Sequence, residues 1–194
     1  MQATALPFEV ARPDIDETPQ PGEAPTDYVL RLSLEKAQAV ARSTSVDSVI
    51  LSADTTVAHE NKILGKPVND DDAIEMLRRL RRAWHEVYTG VTVLDTALTK
   101  RLRHLTASRV LIRDLTDGEI AAYIASGDPI GKAGSYAIQN VEYHPVADLD
   151  GCYTNVVGLP LCTVCALLAE VGIGIPQPIK CSPENLPCQF GHKR

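Results

Sequence analysis

Apolar residues first recur at helical spacing at Leu30, Leu34, Ala37 and Ala41, behind Thr26-Asp27-Tyr28, which offers an N-cap and an acid for the first turn. This pattern predicts a helix to about Arg42. The next run, Val49-Ile50-Leu51, is continuously apolar and ends in Ser52-Ala53-Asp54-Thr55-Thr56. It predicts a strand buried on both faces, with Asp54 at its carboxyl end, where open α/β sheets hold ligands. After Ile63-Leu64-Gly65-Lys66-Pro67, the run Asn69-Asp70-Asp71-Asp72 caps a second helix whose apolar face is Ala73, Ile74, Leu77, Leu80 and Trp84. Arg78, Arg79, Arg81 and Arg82 fall largely on its other face.

From Glu86 to Leu94 and from Leu105 to Arg113 the chain is rich in Val, Thr, Leu and Ile, with Asp95-Thr96 between them, which predicts an antiparallel pair. Thr116-Asp117-Gly118-Glu119 has the capping-box pattern and opens a helix ending near Ser126-Gly127-Asp128-Pro129. Ser135 to Ile138 and Tyr143 to Leu149 are expected as short strands. Gly158-Leu159-Pro160 opens a last helix, which Gly172 stops. Before the first helix, Pro13-Asp14-Ile15-Asp16-Glu17-Thr18-Pro19 cannot be helical, because each proline restricts itself and its predecessor. The segment from Ile175 onward has no periodicity. These elements give one α/β domain over residues 1–174 and a tail over residues 175–194.

Composition narrows the class. A chain of 194 residues supports one sizeable core, and 44% hydrophobic with 23% charged residues is ordinary for a globular protein. No apolar stretch approaches the roughly 20 residues that span a bilayer. A net charge of -6 argues against a general nucleic-acid binder, although it leaves room for a local cationic pocket. Five cysteines, an odd number, do not form a secreted disulfide framework, so a reduced, cytoplasmic chain is expected.

Two constellations carry candidate chemistry. Asp54 and Glu17 are carboxylates from separate segments, as a hard divalent cation such as Mg²⁺ or Mn²⁺ needs when water and phosphate fill its other positions. The bland alternative makes Glu17 a solvated loop acid and Asp54 a turn former. Lys36, Lys66 and Lys132 are point charges suited to phosphate oxygens, and each alone could be a surface charge. Lys132 opens Lys132-Ala133-Gly134-Ser135-Tyr136-Ala137-Ile138-Gln139, where small residues allow close backbone approach and Gln139 offers a donor and an acceptor to a base edge. Cys162, Cys165, Cys181, Cys188 and His192 raise a structural zinc site, against which the helix under Cys162 and Cys165 and the wide spacing of Cys181 and Cys188 both argue. For His85 a structural hydrogen bond is the simpler role.

In order along about Phe8 to Gly172, these motifs resemble the Maf nucleotide pyrophosphatases. The matches are Ile15-Asp16-Glu17, Glu35-Lys36-Ala37, Ser52-Ala53-Asp54-Thr55, Leu64-Gly65-Lys66-Pro67, His85 to Gly90, Lys132 to Gln139, and Asn155 to Leu161. The resemblance implies a mixed, twisted sheet with helices on both faces and a crevice between two lobes. It also implies a homodimer without nucleic-acid or membrane partners. The implied reaction is hydrolysis of a nucleoside triphosphate to the monophosphate and pyrophosphate with a divalent metal. Asp54 matches the proton acceptor, Thr55 and Gln139 the specificity positions, and Glu17, Lys36, Lys66 and Lys132 pocket residues, with Glu17 and Asp54 as metal ligands. Thr after the Asp, with the Gln, belongs to the dTTP and UTP branch, and modified nucleotides are further candidates.

Two departures accompany the match. The family's opening strand and Ser-x-Ser-Pro-Arg-Arg phosphate loop have no counterpart before Phe8: either the start was assigned too late or the chain is truncated there, and in both cases this form's activity is in question. Arg82-Ala83 replaces the family's usual glycine turn. A nucleotide-binding protein without turnover is therefore the second hypothesis.

Overall fold

The computed structural model describes residues 6–97, 99–175 and 181. Helix α1 (Pro25–Ser43) is followed by strands β1 (Val49–His59) and β2 (Lys62–Leu64), helix α2 (Asp70–Leu80), and the long hairpin β3 (Trp84–Asp95) and β4 (Lys100–Ile112). Helix α3 (Asp117–Ala125), strand β5 (Val146–Asp150) and helices α4 (Tyr153–Val157) and α5 (Leu161–Glu170) complete the α/β chain. The strand order is β2-β1-β3-β4-β5, with every neighbouring pair antiparallel. Parallel pairing enters only as a single bridge between Arg81 and Ile112 among the described residues.

Alternation along the strands decides which layer each residue meets. On β1 and β3 the even-numbered Ser52, Asp54, Gly90 and Thr92 face α1: the Ser33 hydroxyl lies 3.0 Å from that of Thr92, and Ser52 donates to the Ser33 carbonyl. Odd-numbered residues face the other layer and form two apolar clusters. Val57 and Val87 join Leu77, Leu80, Ile120 and Tyr123 from α2 and α3. Val91 and Val93 join Val164, Leu167 and Leu168 from α5. Between these clusters the register puts Thr55 opposite Thr89, a polar rung that divides the layer into two lobes.

Several expectations shift for physical reasons. Helix α1 begins at Pro25, whose missing N–H costs nothing in the first turn, and Ala24 rather than Thr26 is its cap. Asp54 does not end its strand, because the β-branched Thr55, Thr56 and Val57 carry β1 on to His59. Trp84 belongs to β3 and not α2, since the chain turns at Arg82 with φ at 58°, the left-handed region where glycine is favoured. Residues 135–138 form no strand; Gly134 and Ser135 both have positive φ, and the segment is a 3₁₀ turn at Ala133–Ser135. The strand expected from Tyr143 begins only at Val146, after a proline that has no N–H for a ladder. Strand β2 and helix α4 are too short to show a periodicity. The capping box on α3 forms as expected, Thr116 and Glu119 each accepting from the other's backbone N–H.

His85 is wholly buried with its Nε2 2.8 Å from the Tyr136 hydroxyl. Burial depresses its pKa to about 4. The folded state thus holds a neutral imidazole, whereas the unfolded chain binds a proton at about pH 6.5. Stability is full above that value and is lost as pH falls from there towards about 4, by up to about 3 kcal/mol. Urea denaturation of wild type and His85→Gln across that window should show a steeper loss of stability with falling pH in wild type than in the variant.

Gly90 sets how closely α1 lies on the sheet. A Cβ there would stand 2.3 Å from the Val29 carbonyl oxygen, on helix backbone that cannot rotate away. We expect Gly90→Ala to push α1 off β3 and cost about 3 kcal/mol, read as a drop in thermal midpoint.

Candidate active site

Helix α1 delivers Lys36 to the sheet one turn beyond Leu32 and Ser33, which are fully buried. Its ammonium lies 2.5 Å from Asp54 Oδ1 and 2.7 Å from Glu17 Oε1. Glu17 comes from the proline-rich loop, which α1 holds in place: the Tyr28 hydroxyl donates to the Glu17 carbonyl at 2.9 Å, and Arg31 donates to the Thr18 carbonyl at 3.2 Å. Arg31 is itself fixed by two bonds to Glu23, at 2.6 and 2.7 Å. Lys66, on the turn leaving β2, stands 3.6 Å from Glu17 Oε2. Glu17, Lys36, Asp54 and Lys66 are therefore brought together.

The two carboxylates are driven apart electrically. Burial raises the Asp54 pKa, with the Lys36 hydrogen bond pulling the other way. The hydrogen bond from Lys36 holds Glu17 below its ordinary value. For Lys36, burial alone would lower the pKa, but the bonds to Asp54 and Glu17 prevail and it is raised. Glu17 thus keeps a fixed charge while Asp54 is the better proton acceptor. Asp54 Oδ1 is taken by Lys36, and among the described residues Oδ2 has no hydrogen bond.

Thr55, one residue on, faces the opposite side of the sheet. It lines a cleft of about 250 Å³ in the gap between the two lobes, together with Lys66, Lys132, Tyr136, Gln139 and Gly158. Ligand pockets for larger molecules run to about 300–1,000 Å³, so a space of this size suits one flat ring. The Thr55 hydroxyl sits 2.8 Å from that of Thr89 and donates to the Gly158 carbonyl at 3.3 Å. Asn155, fully buried, secures this corner by donating to the Val87 carbonyl and to Ser108, each at 3.0 Å. Lys132 is turned to Asp128, 3.1 Å from its Oδ1, and not to the Asp54 cluster.

Lys66 alone of the sequence-derived candidates belongs to both groups. It can do so because β2 pairs with β1 only from Val57 to His59. Among the described residues no strand covers that edge of β1 at Asp54 and Thr55, so one ligand can wrap around it.

The sequence pattern of the Maf-like protein family matches residues 1–171. The chain belongs to the Maf family. Relatives of similar length include proteins named dTTP/UTP pyrophosphatase. That of Hahella chejuensis is 49% identical over 170 residues, covering 87% of this chain and 84% of the relative. That of Geobacter sulfurreducens is 44% identical over 172 residues, or 89% and 90% of the two chains. That of Sphingopyxis alaskensis is 46% identical over 168 residues, or 87% of each.

Within this Maf protein some supporting residues carried no signal of their own in the sequence. Tyr28, Arg31, Thr89, Asn155 and Asp128 act through contacts between separate segments or turns, and only Thr89 and Asn155 lie within the motifs that could have drawn notice. The disfavoured zinc alternative rests partly on Cys188 and His192, which lie outside the described residues. Among the described residues no group of three or more His, Cys, Asp or Glu could hold a metal. Cys162 and Cys181 approach to 3.2 Å between sulfurs, and Cys181 is buried against Leu161 and Cys165.

The Lys36 bridge can be measured directly. We expect Lys36→Met to destabilise the protein by about 2–3 kcal/mol, since it leaves a largely buried Asp54 without its counter-charge. Much of that loss should disappear in an Asp54→Asn background, giving a coupling of about 1–2 kcal/mol in a double-mutant denaturation cycle.

Proposed function

We propose that this Maf protein hydrolyses dTTP and UTP between the α and β phosphates, releasing the monophosphate and pyrophosphate. The observation that carries this reading is the arrangement about the β1 edge: the Asp54–Lys36–Glu17 cluster on one face, a ring-sized cleft with Thr55 and Gln139 on the other, and Lys66 reaching both. The pyrimidine ring enters the cleft, where Gln139 meets its polar edge and Thr55 its floor. The phosphates cross the edge beside Lys66. Asp54 Oδ2 accepts a proton from the attacking water while Lys36 holds Oδ1 in place. That relatives are named pyrophosphatases favours turnover over mere binding.

A divalent cation suits the donor set. Glu17 and Asp54 are hard oxygen donors brought together on the Lys36 ammonium, each with a second carboxylate oxygen that a cation could take, and two carboxylates leave positions for water and phosphate, as Mg²⁺ prefers. The four charged groups sum to zero, so they cannot alone neutralise a triphosphate. When bound, the cation would screen the phosphates and polarise the bond to the leaving group. Lys132 contributes at the cleft rim and not in the phosphate cluster. The same reading includes a homodimer in the cytoplasm without nucleic-acid or membrane partners; no described helix is long and apolar enough to cross a membrane.

Pyrophosphate release should be measured with dTTP, UTP, methylated GTP and ATP in Mg²⁺ or Mn²⁺. We expect the first two to be preferred, chelation to abolish release, and Asp54→Asn to lose at least about 10²-fold in kcat with an unchanged circular dichroism spectrum. Nucleotide binding without pyrophosphate release would instead establish the binding-protein alternative.

A further inference from the structure

The wall of the cleft from Gly131 to Gln139 has little regular structure, yet it must hold a ring to within a fraction of an ångström if it is to discriminate. Its supports converge on one side chain that lines neither the cleft nor the catalytic cluster. Asp128 Oδ1 takes the Lys132 ammonium at 3.1 Å, and the Asp128 carbonyl accepts from the same group. Oδ2 accepts from the Tyr123 hydroxyl at 2.8 Å and from Asn140 Nδ2 at 3.0 Å. Tyr123, 1% exposed, accepts in turn from the Ala137 N–H at 2.9 Å. Asn140 uses its amide oxygen to accept from the N–H groups of Glu142 and Tyr143, at 3.1 and 2.8 Å. One carboxylate thus ties the start of the wall at Lys132, its middle at Ala137 through Tyr123, and its end at Asn140.

The remaining fixings lie elsewhere. The Gly134 N–H donates to the Gly65 carbonyl at 3.2 Å, and a Cβ at Gly134 would meet Val57 at 3.0 Å. These, with the Tyr136 hydroxyl on His85 and the Ser135 hydroxyl on Met76, pin the centre of the wall, while the Asp128 carboxylate bonds to both ends. Asp128 has a lowered pKa, burial opposing and the bonds from Tyr123, Lys132 and Asn140 outweighing it, so it is ionised at neutral pH. An ionised carboxylate accepting from several donors makes stronger bonds than a neutral group would.

We infer that Asp128 is a positioning residue for ring recognition: it clamps both ends of the Gly131–Gln139 wall and so sets the discrimination between thymine or uracil and cytosine rings. This rests on the pyrophosphatase reading given above. The two arms of the clamp are chemically separable. Asparagine at this position can still accept from Tyr123 and Asn140 with its amide oxygen, but its NH₂ cannot accept from the Lys132 ammonium. Alanine loses every side-chain bond of the clamp and keeps only the backbone carbonyl's bond to Lys132.

The test is pyrophosphate release from dTTP, UTP and dCTP by wild type, Asp128→Ala, Asp128→Asn and Tyr123→Phe, with KM and kcat separated. We expect Asp128→Ala to raise the dTTP KM about tenfold and lower the dTTP-to-dCTP ratio of kcat/KM about tenfold, with kcat for dTTP within about threefold of wild type. Asp128→Asn should restore the ratio to within about threefold of wild type, since the Tyr123–Asn140 arm survives. Tyr123→Phe should lower the ratio in the same direction. An unchanged ratio in Asp128→Ala, or equal losses on all three nucleotides, overturns the inference. If Asp128→Ala does not fold, Tyr123→Phe decides it by the same two outcomes. Wild-type protein that releases no pyrophosphate from any of the three overturns the underlying function, and the inference with it.

Discussion

The site depends on one ammonium group shared between two carboxylates. Lys36 belongs to α1, Asp54 to β1 and Glu17 to the loop before α1, so the bridge joins three segments that no local propensity would hold together. Burying a carboxylate without a partner costs several kcal/mol, and Asp54 is only 9% exposed. The close seat of α1 on Gly90, directly opposite Asp54 in the strand register, makes that partner available. Packing and chemistry are therefore one problem here: the helix must lie near enough for a lysine side chain to span the gap.

The same bridge limits what the site can bind. Lys36 and Lys66 balance Glu17 and Asp54, leaving no surplus positive charge for a polyanion. A divalent cation alone meets two carboxylates already satisfied by lysine, and a triphosphate alone meets two negative oxygens. Together they cancel one another's charge. On the proposed function such a site would favour the metal–nucleotide pair over either component, the behaviour expected where carboxylates are few and substrate oxygens complete the coordination.

Much of this was legible in the chain. The helix at α1, the capping box of α3 and the long antiparallel hairpin follow from spacing and turn chemistry that act locally. Glu17, Lys36, Asp54 and Lys66 could be nominated because their residue types and motifs are specific, and they do meet. Their sidedness was not legible. The abrupt change from Val49-Ile50-Leu51 to small polar residues looked like a strand end, while the β-branched residues after Asp54 continue the strand and send Thr55 to the other face. Lys132 was grouped with the phosphate lysines on charge alone, whereas Asp128, four residues earlier, takes its ammonium. Spacing gives which residues are near in the chain; it does not say which of two carboxylates wins a lysine.

The alternation of β1 has a chemical consequence. Adjacent residues, Asp54 and Thr55, serve opposite faces, so the proposed reaction would place proton transfer and ring recognition in separate environments joined around a strand edge. The phosphate face is charged and partly buried behind α1, and its geometry depends on that helix. The ring face is a cleft between two apolar clusters whose floor, Thr55, is already engaged by Thr89 and Gly158 and so cannot swing toward the phosphates. Each face can therefore vary with little effect on the other. A change of wall sequence can alter which base is accepted while leaving the Asp54–Lys36–Glu17 geometry intact. The β1 backbone fixes the distance between the two faces, and in the proposed reaction that distance would let ring binding on one side position a phosphorus atom on the other.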